Sequence, residues 1–469
     1  MTTQTTLSDW LPNIEARRGP TYLAIAQALA EDIRSGNLSP GTRMPTHREL
    51  AYQLGVTVGT VSRSYAEATR LGLIDGEVGR GTFVRRRPSR DMGEIARDPA
   101  GPNGVNLGLN YPPMSQAETD AFSETLAAMA GDRSLGQLLE YTAHCGSARH
   151  RHAGARWLKT LGVPGDPERT VVTSGAQNGM LITFTALTEP GETVLVDKLT
   201  FPGMVALANL LNLRLTPVEF DEHGPLPEAL ERAAVETGAR AYYTMPTIHN
   251  PTNVVIPLRR RREIAEIAKR RDLVIVEDDI YRFLAPDAPE TLASLAPDNT
   301  IFVASAAKQL APGLRIGAID TPQRHLPRIE AAMRTSTWMA TPAMAEVLAR
   351  WVEDGTAEHL GEIKRAEMIE RQRIAKRALT GFDYHTHPAS MHVWLRLPEA
   401  WRGRDPVAAA AHRGVTISAG EVFAAGAGAG RRHIRISVGN PKDRHSLERG
   451  LSVVAATLTE LPFADPAIV

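Results

Sequence analysis

Lys308 lies in the run Val303-Ala304-Ser305-Ala306-Ala307-Lys308-Gln309-Leu310-Ala311-Pro312-Gly313-Leu314-Arg315-Ile316-Gly317, after an apolar strand and before a glycine turn and an arginine. A lysine that bonds covalently to a carbonyl carbon must be partly desolvated, so that its amine is neutral near pH 7. A phosphorylated cofactor also needs a fixed cation, which Arg315 supplies. Alone, the run fits a solvated lysine and an ordinary Pro-Gly turn equally well. The residues at other strand ends decide between the two.

Four further apolar segments end in residues with chemical potential. After Val171-Val172 come Thr173-Ser174-Gly175-Ala176-Gln177 and an apolar helix, whose leading N–H groups favour a phosphate. After Val194-Leu195-Val196 comes Phe201, a ring that either lies over a planar heterocycle or joins the core. After Tyr242-Tyr243, Asn250 is held between Pro246 and Pro251, an arrangement that a polar turn also explains. After Val274-Ile275-Val276 come Glu277-Asp278-Asp279-Ile280-Tyr281, where Asp278 pairs with a protonated ring nitrogen and Tyr281 reaches a ring hydroxyl, unless the stretch is an ordinary acidic loop. A phosphate cradle, a ring, an amide, a carboxylate and a lysine on successive strand ends are hard to assign to chance. No metal site is expected.

Short apolar segments alternating with longer amphipathic ones predict a mainly parallel sheet with helices on both faces. In such sheets ligands gather beyond the carboxyl ends of the strands, which is where these residues fall. The whole chain of 469 residues, with 43% apolar and 23% charged residues, is too long for one core and predicts two or three domains. Cys145 is the only cysteine, which excludes an internal disulfide. With no apolar run long enough to span a bilayer and no apolar leader, a reduced cytoplasmic setting is expected.

Net charge is zero overall, but residues 1–90 carry 12 Lys and Arg against 8 Asp and Glu. In that basic segment, Ile25, Ala26, Leu29, Ala30 and Ile33 recur at helical spacing from Thr21 to Gly36. Thr46 and Glu49 have capping-box spacing, so a short helix starts there and stops near Gly55. Thr57 caps the next, whose apolar side is Val58, Val61, Tyr65, Ala68 and Leu71. Two helices joined by Gly55-Val56-Thr57 read as helix-turn-helix or as a plain three-helix bundle. Leu73-Ile74 and Thr82-Phe83-Val84 flank Gly76 to Gly81 and predict a two-stranded wing with Arg80 at its tip. The wing favours the DNA-binding reading.

The stretches Arg43 to Ala51, Leu54 to Thr57, Thr60-Val61 and Leu71 to Ile74 resemble the GntR class of winged helix-turn-helix domains. The resemblance implies that Arg48, Thr57, Thr60, Gly79 and Arg80 meet double-stranded operator DNA. Val58 and Ser62 stand where relatives often carry basic residues, so Arg63 is a further candidate contact. Domain limits of 15–86 for this unit, 87–105 for a charged, Pro/Gly-rich linker and 106–469 for the remainder follow.

From about Asn110 onward the chain resembles the fold type I aminotransferases that use pyridoxal 5'-phosphate: a large, mainly parallel αβα domain with a small C-terminal α+β subdomain. By that resemblance Lys308 forms the internal aldimine, and Asp278 keeps the pyridine nitrogen protonated. Asn250 and Tyr281 bond the phenolic oxygen, and Phe201 stacks on the ring. Gly175, Ala176, Gln177, Ser305 and Arg315 hold the phosphate, and Tyr141 is lent to the neighbouring subunit of a head-to-tail homodimer. Arg435, in His433-Ile434-Arg435-Ile436-Ser437, grips the carboxylate of an amino acid. Two positions depart from the family's pattern: Ala419 replaces a common proline, and Asn253 replaces the glycine that usually follows Asn-Pro-Thr.

The two halves in this order resemble the MocR subfamily of transcription regulators. The resemblance implies a regulator that senses an amino acid or amine by external aldimine formation at Lys308 and changes its operator binding. An aminotransferase with an accessory DNA-binding domain, or a regulator with a vestigial site, are the alternatives. The intact Lys308, Asp278 and Arg315 weigh against the last.

Overall fold

Thr46 and Glu49 cap each other: Glu49 N donates to Thr46 Oγ1 at 3.3 Å, and Thr46 N donates to Glu49 Oε2 at 2.8 Å. This box starts α2 (His47–Leu54), and Gly55, left-handed at φ 65°, ends it. Helices α1 (Thr21–Ser35) and α3 (Val58–Arg70) complete the trio around Ile25, Leu29, Leu50, Val61, Tyr65 and Ala68. Strands β1 (Ile74–Glu77) and β2 (Gly81–Val84) pair antiparallel as a wing. The wing has a third edge that the sequence does not announce. Met44 N donates to Thr82 O and Val84 N to Thr42 O, each at 2.8 Å. Three consecutive residues carry no period by which to recognise them.

The computed structural model describes residues 10–12, 14, 20–35, 38, 42–70, 73–77, 81–84, 104–426 and 428–460. Gly36, Gly79, Arg80 and nearly all of the expected linker lie outside these. The chain divides into two units, residues 1–90 and 91–469. Val105, at the end of the expected linker, already belongs to β3 (Val105–Asn106).

The larger unit is built on a seven-stranded sheet of β4 (Thr170–Thr173), β5 (Thr193–Asp197), β6 (Arg214–Val218), β7 (Ala241–Thr244), β8 (Val274–Asp278), β9 (Thr300–Ser305) and β10 (Gly317–Asp320). Its order is β4-β10-β9-β8-β7-β5-β6, and only β10 runs antiparallel to its neighbours. The five predicted strands are present. Two more are added: β10, reached from β9 by a tight return through Pro312 without a crossover helix, and the edge strand β6, whose mixed composition hides it.

Both faces of the sheet are covered, as the near-continuous apolar runs require. Val194, Val196, Tyr243 and Val276 pack with α4 (Ala176–Leu187) on one side. Leu195, Tyr242 and Ile275 pack with α5 (Pro227–Thr237) and α6 (Leu258–Arg271) on the other. Period-2 alternation sends adjacent residues to opposite helical layers. A smaller antiparallel sheet follows, ordered β11 (Tyr384–His385), β12 (His392–Arg396), β15 (His433–Ser437) and β14 (Ser418–Ala419). Strand β13 (Val415–Thr416) pairs in parallel with β3, joining the unit's first described strand to its C-terminal part.

Candidate functional site

Lys308 sits on a single helical turn that begins where β9 ends, with Ser305 Oγ capping it by accepting from Ala307 N at 3.2 Å. Its ammonium nitrogen donates to the carbonyl of Asn110 and lies 5.8 Å from the Tyr111 ring centroid. Burial, then the positive charge of Arg435, pushes the amine down to about 7, while Asp278 opposes the shift. An amine with that value is about half neutral at pH 7, the form that can act as a nucleophile.

Asp278 ends β8 and is 1% exposed. Its Oδ2 accepts from the Tyr243 phenol at 2.7 Å, whereas its buried Oδ1 has no partner among the described residues. Burial holds the carboxyl at about 6, with the Tyr243 hydrogen bond pulling the other way. A carboxylate with one orphaned buried oxygen lacks a donor that the protein does not supply.

The turn before α4 is fixed by Gly175 at φ 85° and ψ 173°, a region that side chains exclude. A Cβ there would lie 3.0 Å from Arg315 Nη2, so the guanidinium packs on the turn that leads into the helix. Arg315 is itself left-handed, at φ 49°. The leading N–H groups of α4 and this cation are of the kind that can hold an anion. Phe201 and Gln177 meet over Gly203, where a Cβ would collide with the ring and the side-chain amide.

Arg435, on β15, is 5% exposed and bound on three sides. Nη1 donates to Asn250 Oδ1 at 3.1 Å, and Nη2 donates to the Gly108 carbonyl and to Ser418 Oγ. The guanidinium carbon is 4.8 Å from the Phe423 ring centroid, and Nε has no hydrogen-bond partner among the described residues. Burial pushes even this group down, to about 10. Tyr281 is buried, accepts from Asn110 Nδ2 at 2.7 Å, and is pushed well above the ordinary phenol range by that burial.

Lys308, Asp278, Tyr281, Arg315 and Arg435 are thus within electrostatic reach of one another, with Asn250 tied in through Arg435, Gly175 through Arg315 and Ser305 through the lysine's own turn. Ala176 opens α4 beside Gly175. Tyr141 is placed differently. It is 82% exposed, its ring is 5.7 Å from that of Trp338, and it makes no hydrogen bond to these groups among the described residues. Asn110 and Tyr243 escape sequence reasoning. Asn110 lies in an aperiodic stretch 198 residues from Lys308, and Tyr243 reads as one more core aromatic.

In the smaller unit Thr57 caps α3: Thr60 N donates to Thr57 Oγ1 at 3.1 Å, and the two hydroxyls are 2.9 Å apart. Thr57, Thr60 and the exposed Arg63 line one cavity of about 340 Å³ with Thr21, Tyr22 and Gly59. Arg48 is exposed on α2 and does not line it. Among the described residues no cluster of His, Cys, Asp and Glu is arranged for a metal, and no helix is long and apolar enough to cross a membrane.

Residues 102–451 match the family model described as Aminotransferase class I and II, and residues 21–84 that of Bacterial regulatory proteins, gntR family. The HTH-type transcriptional regulator YdeF of Bacillus subtilis is 30% identical over 96% of this chain and 97% of its own length. A second B. subtilis protein, the HTH-type transcriptional regulator YdfD, is 25% identical over 94% and 97%. Among solved structures, LysN, an α-aminoadipate aminotransferase from Thermus thermophilus complexed with N-(5'-phosphopyridoxyl)-L-leucine, superimposes with a TM-score of 0.70 at 23% identity. It covers 84% of this chain and 98% of its own, a likeness of fold.

Proposed function

Because the chain belongs to the GntR-type transcription regulators that carry an aminotransferase class I and II domain, the MocR arrangement, we propose that it binds operator DNA and pyridoxal 5'-phosphate and senses a small amino acid or amine at Lys308. The observation that carries the reading is Asp278. Its buried Oδ1, without a hydrogen-bond partner among the described residues, suits the protonated ring nitrogen of that cofactor. The phosphopyridoxyl compound bound to the fold relative supports the same group.

Bound pyridoxal 5'-phosphate supplies an aldehyde carbon that bonds reversibly to primary amines and a ring that accepts electrons when its nitrogen is protonated. Asp278 would hold that proton, and Tyr243 would hold Asp278 ionised. Gly175, Ala176, Gln177, Ser305 and Arg315 would take the phosphate, Phe201 the ring face, and Asn250 and Tyr281 the phenolic oxygen. Lys308, whose amine burial brings down to about 7, would be the residue that holds the aldehyde carbon, and an effector amine would compete for the same carbon. Arg435 binds the effector's carboxylate through the edge that carries its unpartnered Nε. A carboxylate at Arg435 would compete with its hydrogen bonds to Gly108 and Asn250, and any movement of the Lys308 amine would change its bond to Asn110. An effector that favours the resulting arrangement shifts DNA affinity by its differential binding.

DNA contact falls to Arg48, Thr57, Thr60 and Arg63, with Gly79 and Arg80 from the wing. The exposed Tyr141 beside Trp338 supports a residue lent to a neighbouring subunit in a head-to-tail homodimer. The test is a footprint of the full chain on the DNA flanking its own gene, with and without pyridoxal 5'-phosphate and pooled amino acids. Protection that responds to cofactor or amine, and a response lost in Lys308→Ala, is the expected result. No protection, together with turnover of an amino acid, would favour an aminotransferase instead.

A further inference from the structure

Asn110 is 9% exposed, and both ends of its side-chain amide and its carbonyl are engaged. Its Nδ2 faces Tyr281 Oη at 2.7 Å and His392 Nδ1 at 3.3 Å, its Oδ1 accepts from Ser437 Oγ at 3.3 Å, and its carbonyl accepts from Lys308. An amide NH₂ can only donate. Tyr281 Oη is therefore an acceptor here, and its own proton must be given elsewhere. No protein acceptor for it is present among the described residues. With the amide in this orientation His392, fully buried on β12, accepts at Nδ1 and carries its ring proton on Nε2; burial keeps the imidazole well below the ordinary range and so neutral.

His392 also fixes which way the Asn110 amide points. If the amide turned over, its oxygen would take the Tyr281 proton and its NH₂ would meet Ser437, while His392 Nδ1 would face an oxygen instead of a donor. Ser437 can accept as well as donate, since its hydroxyl also faces the Met391 carbonyl at 3.4 Å, so the direction is set by His392, its direct partner on the adjacent strand. A simple space-filling role would not require this directionality.

We propose that Asn110, oriented by His392, is a positioning residue that frees the Tyr281 phenol proton for the phenolic oxygen of the cofactor while its carbonyl holds Lys308. The inference rests on the cofactor reading above. A donor on that oxygen stabilises negative charge there, so losing it makes the bound cofactor hold its titrating proton more tightly.

The test loads the full chain with pyridoxal 5'-phosphate alone and follows its visible absorption against pH. In Asn110→Ala the spectroscopic midpoint should rise by about one pH unit, a tenfold change in proton affinity. His392→Phe, which keeps a ring of similar size, should move it the same way and carries the test if Asn110→Ala does not fold. The double variant should add little to Asn110→Ala. His392→Gln, whose side-chain oxygen can accept from the amide, should restore part of the shift. Midpoints unchanged from wild type in both Asn110→Ala and His392→Phe would overturn the inference and leave the cofactor reading intact. Absence of any visible band from the wild-type chain would overturn both.

Discussion

Tyr243 donates its phenol proton to one oxygen of Asp278, and the other oxygen of that carboxylate, also buried, has no hydrogen-bond partner among the described residues. The pair comes from adjacent parallel strands, β7 and β8. One oxygen is held by the phenol at 2.7 Å, and the other can still accept a hydrogen bond.

A stability difference that depends on pH follows for the cofactor-free chain. Burial raises the Asp278 carboxyl from its ordinary 3.8 to about 6. The folded state then holds this proton more tightly than the unfolded one, so stability is full below about pH 4 and is lost as pH rises through about 6. Asp278→Asn should therefore stabilise the cofactor-free protein at pH 8 by up to roughly 3 kcal/mol, and by little near pH 4. Urea denaturation at the two pH values measures this, and an equal gain at both would contradict it. The same variant should bind pyridoxal 5'-phosphate far more weakly.

Attachment of the cofactor to Lys308 should follow the neutral amine. The rate at which the visible band grows after mixing should climb with a midpoint near 7, where burial and Arg435 place that amine. A midpoint near 10 in stopped-flow traces would mean that the lysine is solvated. Lys308→Ala should fold and show no such band.

Gly175→Ala places a side chain at φ 85° with its Cβ 3.0 Å from Arg315 Nη2. The backbone strain costs on the order of 1–3 kcal/mol, and the guanidinium must move. A lower melting temperature and cofactor binding weakened at least about tenfold are expected, the latter corresponding to about 1.4 kcal/mol. Gly313→Ala is the control, since a Cβ there meets nothing within 4 Å. Comparable losses in both variants would count against the cradle.

On the DNA that the footprint identifies, Arg63→Ala should weaken binding at low salt and reduce the slope of log affinity against log salt by about one, as for a lost phosphate contact. Fluorescence anisotropy across a salt series reads both. Because Arg63 is exposed, thermal stability should not change. An unchanged slope would remove it from the phosphate-contacting set.

Much of this molecule is written locally. The capping box of Thr46 and Glu49, the left-handed Gly55, and the apolar runs that become β4, β5, β7, β8 and β9 depend on near neighbours and on period, so the sequence alone determines them. The chemistry-bearing strand ends are legible for the same reason: Lys308, Asp278 and Gly175 each follow an apolar run directly. Tertiary structure decides what those groups become. The lysine's shift comes from burial and from Arg435, 127 residues further along, and the free oxygen of Asp278 depends on which strand β7 lies beside. Asn110 carries no periodic signal and acquires its role only because β12 and β15 bring His392 and Ser437 to it, an outcome of long-range packing that no local pattern encodes.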